Sequence, residues 1–150
     1  MEMKKINLCG LSENEIYGLL EPYGFNRTNA HEVAVNLYKR RFRAFSEFIK
    51  IPERLRSVLN ADFQTGYSEF IDSFKSDDNT VKYLFRTPDG RQFETVYIPE
   101  DKRHTVCVST QSGCRMGCAF CVSGSYGFHG NLEVHEILNQ VLGIPQSGEL

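Results

Sequence analysis

Residues 114–121 read Cys114-Arg115-Met116-Gly117-Cys118-Ala119-Phe120-Cys121, three cysteines at C-x3-C-x2-C spacing in a loop-like setting. Three thiolates this close in sequence can wrap one inorganic centre without help from distant parts of the chain. Iron–sulfur clusters prefer thiolate ligands, and a four-iron cubane held by three of them keeps one iron without a protein ligand. Zinc reads the same residues differently. It favours four ligands and paired C-x2-C halves; only Cys118 and Cys121 form such a pair, and Cys107, His104 or His129 would have to complete the set. A disulfide framework is disfavoured, because nothing marks the chain as secreted.

The rest of the composition is that of an ordinary soluble domain. The 150 residues are 41% hydrophobic and 24% charged, with a formal net charge of −2. No apolar run is long enough to span a membrane, and the start carries no signal-peptide pattern. An odd number of cysteines, five, without such a leader points to a reducing cytoplasm and to metal or redox use. The net charge argues weakly against nucleic acid, but Lys39, Arg40, Arg41 and Arg43 lie together, with Lys50, Arg54 and Arg56 soon after. A local basic face of this kind suits a phosphate backbone, and it equally suits a solvated helix end.

Around the cysteine stretch the periodicity divides the chain. Ser12-Glu13-Asn14-Glu15 reads as a capping box opening a helix to about Glu21, stopped before Pro22 and Gly24. Asn29-Ala30-His31-Glu32 reads as a second box, with Ala30, Val33, Ala34, Leu37 and Tyr38 as the apolar stripe. Ser46 to Ile49 reads as one turn, and Pro52 as the first turn of a third helix with Leu55, Val58 and Leu59 inward. After Gly66 the period shortens. Val81, Tyr83 and Phe85 alternate with Lys82, Leu84 and Arg86, Thr87-Pro88-Asp89-Gly90 is a turn, and Gln92 to Ile98 is β-rich, so a hairpin is predicted. Tyr67 to Phe74 adds a strand before it, and Pro99-Glu100-Asp101 ends it. Thr105 to Ser109 predicts a further strand, then the cysteine loop, then a helix capped by Asn131 with Val134, Ile137, Leu138 and Val141 on its inward face. Strand, loop, helix is one βα unit with its chemistry at the strand's C-terminal end, as in barrel enzymes.

Two runs carry a family resemblance: Glu94-Thr95-Val96-Tyr97-Ile98-Pro99-Glu100, and Cys107-Val108-Ser109-Thr110-Gln111-Ser112-Gly113-Cys114. With Gly127-Phe128 and Asn131-Leu132 they resemble the RlmN/Cfr family of radical-SAM methyltransferases. The cysteine spacing and the aromatic Phe120 before the third cysteine resemble the wider superfamily. The resemblance is dense from about Thr80 to Val141 and colinear through the N-terminal helices. It implies an α+β and α/β chain in three parts: a helical RNA-binding accessory domain at 1–66, a β-hairpin extension at 67–99, and at 100–150 the first βα unit of a partial TIM-like barrel. It implies methylation of adenine C2 in large-subunit ribosomal RNA, and of transfer RNA, with C8 as the Cfr alternative.

By the same resemblance Cys114, Cys118 and Cys121 hold a 4Fe–4S cluster, and S-adenosylmethionine is radical source and methyl donor, with Phe120 beside the cofactor. Cys107, seven residues before the first ligand, matches a redox cysteine that pairs with a methyl-carrying cysteine, and Glu94 matches a proton acceptor. Lys39, Arg40, Arg41 and Arg43 would contact RNA. The expected partners are ribosomal RNA, transfer RNA and an electron donor, with a cytoplasmic monomer and no membrane. The family's glycine–glutamate cofactor motif and methyl-carrying cysteine would lie beyond Leu150, so an N-terminal portion is expected. Gly130 stands where the family usually has arginine. From other classes, a non-catalytic RNA-binding or iron–sulfur remnant and a zinc-binding module remain as alternatives.

Overall fold

The computed structural model describes residues 5–145, which divide into two compact units after Tyr67.

The first unit is helical. The short strand β1 (Ile6–Asn7) pairs in parallel with β2 (Phe63–Gln64), tying the start of the unit to its end. Helix α1 (Glu13–Leu20) opens on the predicted capping box: Ser12 Oγ accepts the Glu15 N–H, and the Glu15 carboxylate takes the Ser12 N–H at 2.7 Å. The chain then tightens into a 3-10 turn, Glu21–Tyr23, closed by Gly24 at φ +80°.

Helix α2 (Arg27–Ala34) starts three residues earlier than the sequence predicts. Its cap is Asn26, whose Oδ1 accepts from the Asn29 N–H at 3.0 Å, while Asn29 returns the bond; Asn29 is the far half of the box rather than its cap. The helix continues through a wide π turn, Val35–Lys39. Asn36 is fully buried there, with its amide paired to the Ile49 N–H and C=O. Phe45–Glu47 makes a 3-10 turn, and helix α3 spans Glu53–Asp62 with Pro52 capping it from outside rather than sitting in its first turn. The core joins Leu8, Ile16, Leu20, Val33, Leu37, Leu55 and Leu59, all fully buried, so the predicted stripes point inward.

The second unit is built on a four-stranded antiparallel meander: β3 (Glu69–Lys75), β4 (Val81–Arg86), β5 (Gln92–Glu100) and β6 (Arg103–Val108). The predicted hairpin is β4–β5. Pro99-Glu100 does not end it; the strand runs through both, turns, and returns as β6 with Glu100 opposite Arg103. Two placements follow. The strand before the cysteines pairs with β5 as the fourth strand of the antiparallel sheet, and among the described residues only β1 and β2 pair in parallel. The expected division between 99 and 100 falls inside this one sheet. Val81, Tyr83, Phe85, Phe93 and Tyr97 line its buried face with Leu132 and Ile144, and Phe85 stacks on Phe93 at 5.6 Å.

Beyond β6 come β7 (Gln111–Gly113), a single helical turn α4 (Val122–Ser125), β8 (Phe128–Asn131) and helix α5 (Val134–Leu142); β7 and β8 pair as an antiparallel ribbon. Helix α5 corrects the sequence reading twice. Its cap is Glu133, boxed with Glu136, not Asn131. Its covered face is largely polar: His135, Glu136, Asn139 and Gln140 are covered and Ile137 packs against the sheet core as expected, while Val134 is 64% and Leu138 37% exposed. The cause is hydrogen bonding. Gln140 Oε1 accepts from Thr95 Oγ1 at 2.8 Å and from the Ser109 N–H at 2.6 Å, and its Nε2 donates to the Ser109 C=O at 2.7 Å. These bonds satisfy the point where β6 leaves the sheet, which an apolar side chain would leave unpaired.

Candidate functional site

The cysteine loop hangs from the β7–β8 ribbon. The Cys114 N–H bonds to the Gly127 C=O at 2.9 Å, which closes the loop at its base. Inside it, the Cys121 N–H reaches the Cys118 C=O at 3.1 Å, and the Gly124 and Ser125 N–H groups return to the Cys121 C=O. Glycine is required twice here. A Cβ on Gly113 (φ +70°) would lie 1.8 Å from the Gly127 oxygen, and one on Gly124 would lie 2.9 Å from the Cys118 nitrogen.

All three thiols are half-buried and free of disulfides. Their chemistry, three soft sulfur donors on one short loop, fits an iron–sulfur cluster. The loop does not gather them: among the described residues no three His, Cys, Asp or Glu side chains converge as a metal-ligand set. The groups offered for zinc do not join them either. His129 Nε2 bonds the Tyr126 C=O at 2.8 Å, His104 stacks on Tyr97, and Cys107 lies exposed on β6. Phe120 is 94% exposed, and Arg115 covers the ring of Phe128 at 4.4 Å.

Glu94 and Cys107 stand on one face of the sheet. Cys107 is paired with Val96, and Val96 and Glu94 are two apart on β5, so all three point away from α5. Glu94 forms an ion pair with Lys82 at 3.0 Å, both partners more than 40% exposed, which orients the carboxylate and adds little stability. Glu94 also lines a cleft of about 680 Å³. Ser123, Tyr126 and His129, which follow the cysteine triplet, form another part of that lining, with Asp89 and Arg91 at the hairpin end. Arg91 donates to Asp89 at 2.8 Å, to the Asn131 C=O at 2.8 Å and to the buried Glu136 at 3.3 Å. Hydrogen bonds from Thr87, and then Arg91, hold the Asp89 carboxyl below its usual range.

The basic group in the helical unit is less uniform than its sequence implies. Arg40 turns back onto Glu32 at 3.3 Å and is only 23% exposed. Arg54 and Arg56 donate to main-chain carbonyls of Tyr23 and Phe48. Arg43 lies over the Tyr67 ring at 5.6 Å, Arg41 is half-buried at φ +57°, and Lys39 is exposed. The remaining cysteine, Cys9, is buried in this unit, and burial pushes its thiol up to about 11. Alkylation near pH 8 is therefore expected to label Cys107, Cys114, Cys118 and Cys121 and to spare Cys9 until the chain is unfolded. Equal labelling of Cys9 by mass spectrometry would show that the helical core opens.

Sequence reasoning missed Lys82, Arg91, Gln140 and Tyr126. Hairpin register would have put Lys82 near Glu94. Gln140 carried no local signal, because Thr95 and Ser109 are far from it in sequence; Arg91 has one partner nearby, Asp89, but Asn131 and Glu136 are 40 or more residues away.

No family model matches the chain. It is 38% identical over its whole length to a probable dual-specificity RNA methyltransferase RlmN of Phocaeicola vulgatus, covering 43% of that protein. It is 42% identical over 113 residues, 75% of the chain and 32% of the relative, to the probable dual-specificity RNA methyltransferase RlmN of Thermus thermophilus. The crystal structure of a radical SAM methyltransferase from Sphaerobacter thermophilus matches 96% of the chain, and 42% of its own, with TM-score 0.87 and 31% identity. The fold of the chain is thus that of part of a radical-SAM methyltransferase. Within that class it belongs to the RlmN/Cfr family, where it matches an N-terminal portion. The chain spans less than half the length of the curated relatives it matches. No helix among the described residues is long and apolar enough to cross a membrane.

Proposed function

We propose that this chain supplies the cluster loop, the proton acceptor and the redox cysteine of an enzyme that methylates adenine C2 in 23S ribosomal RNA and also acts on transfer RNA. The observation that carries the reading is the shared cleft. Glu94 lines it together with the residues just after the cysteine triplet, and Cys107 lies on the same sheet face as Glu94. A cleft of about 680 Å³ is of the size that takes one nucleotide.

In this reading Cys114, Cys118 and Cys121 hold a 4Fe–4S cluster, with Phe120 beside the S-adenosylmethionine. When bound, cluster and cofactor supply the radical and the methyl group, with an electron from a donor protein. The protein's own tasks are those of positioning and proton transfer. Glu94 takes the proton that the substituted ring carbon must lose, and the ion pair with Lys82 holds its carboxylate in position. The exposed Cys107 thiol closes the reaction by forming a disulfide: it gives up its proton, its sulfur bonds to the sulfur that carries the one-carbon bridge, and the carbon–sulfur bond breaks with its electron pair going to the carbon, where a proton completes the methyl group. In the helical unit Lys39, Arg41 and Arg43 meet RNA phosphates, while Arg40 is held inward by Glu32.

Anaerobic reconstitution with iron and sulfide tests the reading. The expected result is a brown protein with broad visible absorption, abolished by Cys114→Ala, Cys118→Ala or Cys121→Ala and untouched by Cys9→Ala. Stoichiometric zinc uptake without iron would overturn it.

A further inference from the structure

Tyr126 has a pinned backbone and an unengaged ring. Its C=O accepts from His129 Nε2 at 2.8 Å, and the next residue, Gly127, holds the Cys114 N–H through its own carbonyl. The main chain on either side is thus part of the closure of the cysteine loop. The side chain is 62% exposed on the wall of the cleft that Glu94 also lines, and among the described residues no group bonds its hydroxyl.

The charges of the cleft indicate which ligand this ring meets. Two carboxylates, Asp89 and Glu94, line it, and Arg91, the guanidinium beside them, is committed to Asp89, Glu136 and the Asn131 carbonyl. Phosphate is poorly suited to such a lining. A neutral, planar, hydrogen-bonding ring suits it well. Tyrosine has only two side-chain torsions to order, so a ring already held by its backbone loses little entropy on stacking.

We infer that Tyr126 is the stacking platform for an unpaired purine base, seating an extruded adenine with its edge toward Glu94. The inference rests on the proposed methyltransferase reading, which it deepens by naming the residue that holds the base. Aromatic faces bind unstacked bases with little regard to sequence and without releasing counterions. The contribution of Tyr126 should therefore be insensitive to salt, unlike that of phosphate contacts.

The test is binding of a fluorescein-labelled, single-stranded oligoadenylate to the full 150-residue chain, followed by anisotropy. Tyr126→Ala is expected to weaken binding by about tenfold, in line with the loss of one base–aromatic stack. Tyr126→Phe should retain the parent's affinity, since the ring and not the hydroxyl acts. The ratio of parent to Ala affinities should stay constant as salt rises, while both affinities fall. Any of three results would overturn the inference: no binding by the parent, unchanged binding by Tyr126→Ala, or an equal loss in Tyr126→Phe. The readout needs no cluster. If iron uptake fails while this pattern holds, the methylation reading falls and the base site stands; if iron uptake succeeds and the pattern is absent, only the base site falls.

Discussion

Gly113→Ala is expected to open the cysteine loop and abolish iron uptake while the four-stranded sheet stays folded. The added methyl would sit 1.8 Å from the Gly127 oxygen and 2.9 Å from its carbonyl carbon, distances no side chain tolerates. The neighbour is backbone and cannot swing aside, so β7 and β8 must part where Gly113 pairs with Phe128. The left-handed φ of +70° adds its own penalty of about 1 kcal/mol to the roughly 1–3 kcal/mol of overpacking. Once the strands separate, the bond from the Cys114 N–H to Gly127 is lost, and the base of the loop that carries all three thiols comes open. Visible absorption after reconstitution, read beside the far-ultraviolet dichroism of the apo-protein, separates the two effects. Parent-like iron content in Gly113→Ala would show that the ribbon is not what organises the loop.

The second large effect is expected at Arg91. Its guanidinium faces a Glu136 side chain only 3% exposed, and is itself 19% exposed. Arg91→Ala removes that partner together with the bonds to Asp89 and the Asn131 carbonyl. Breaking a buried pair from one side leaves a charge with neither water nor counter-ion, a loss of roughly 3–5 kcal/mol. Urea unfolding of the sheet unit should register it as a lower midpoint at unchanged slope. The paired change Arg91→Met with Glu136→Leu should recover most of the loss, because no charge then stays buried. A loss below about 1 kcal/mol for Arg91→Ala would mean that water reaches Glu136 and that the pair behaves as a surface bridge.

Arg91 also bears on Gly130. A Cβ there would lie 3.3 Å from the Arg91 guanidinium, so the hairpin arginine fills the space beside a residue that is usually arginine in the family. The cation beside Gly130 thus comes from the turn between β4 and β5.

Much of the molecule was legible in one dimension, and for local reasons. The Ser12–Glu15 box, the stripe of Ala30, Val33 and Leu37, and the alternation from Val81 to Arg86 rest on contacts between near neighbours, which spacing alone encodes. The cysteine triplet belongs with them, because its donors lie within eight residues. Glu94 and Cys107 were singled out only through resemblance to a family, since an exposed strand carboxylate and an exposed strand thiol carry no signal of their own.

Tertiary structure alone decided the rest. Helix α5 is amphipathic in sequence, yet it buries Glu136, Asn139 and Gln140 and exposes Val134. A stripe of apolar residues reports only where water would be least welcome. It cannot report that Ser109, Thr95 and Arg91 wait on the sheet with hydrogen bonds to be met. The same is true of β6: its residues read as a strand either way, and only the turn at 101–102 made it antiparallel to β5. That turn laid Cys107 across from Val96 and so onto the face of Glu94, because pairing register is a relation between two segments and is written in neither one.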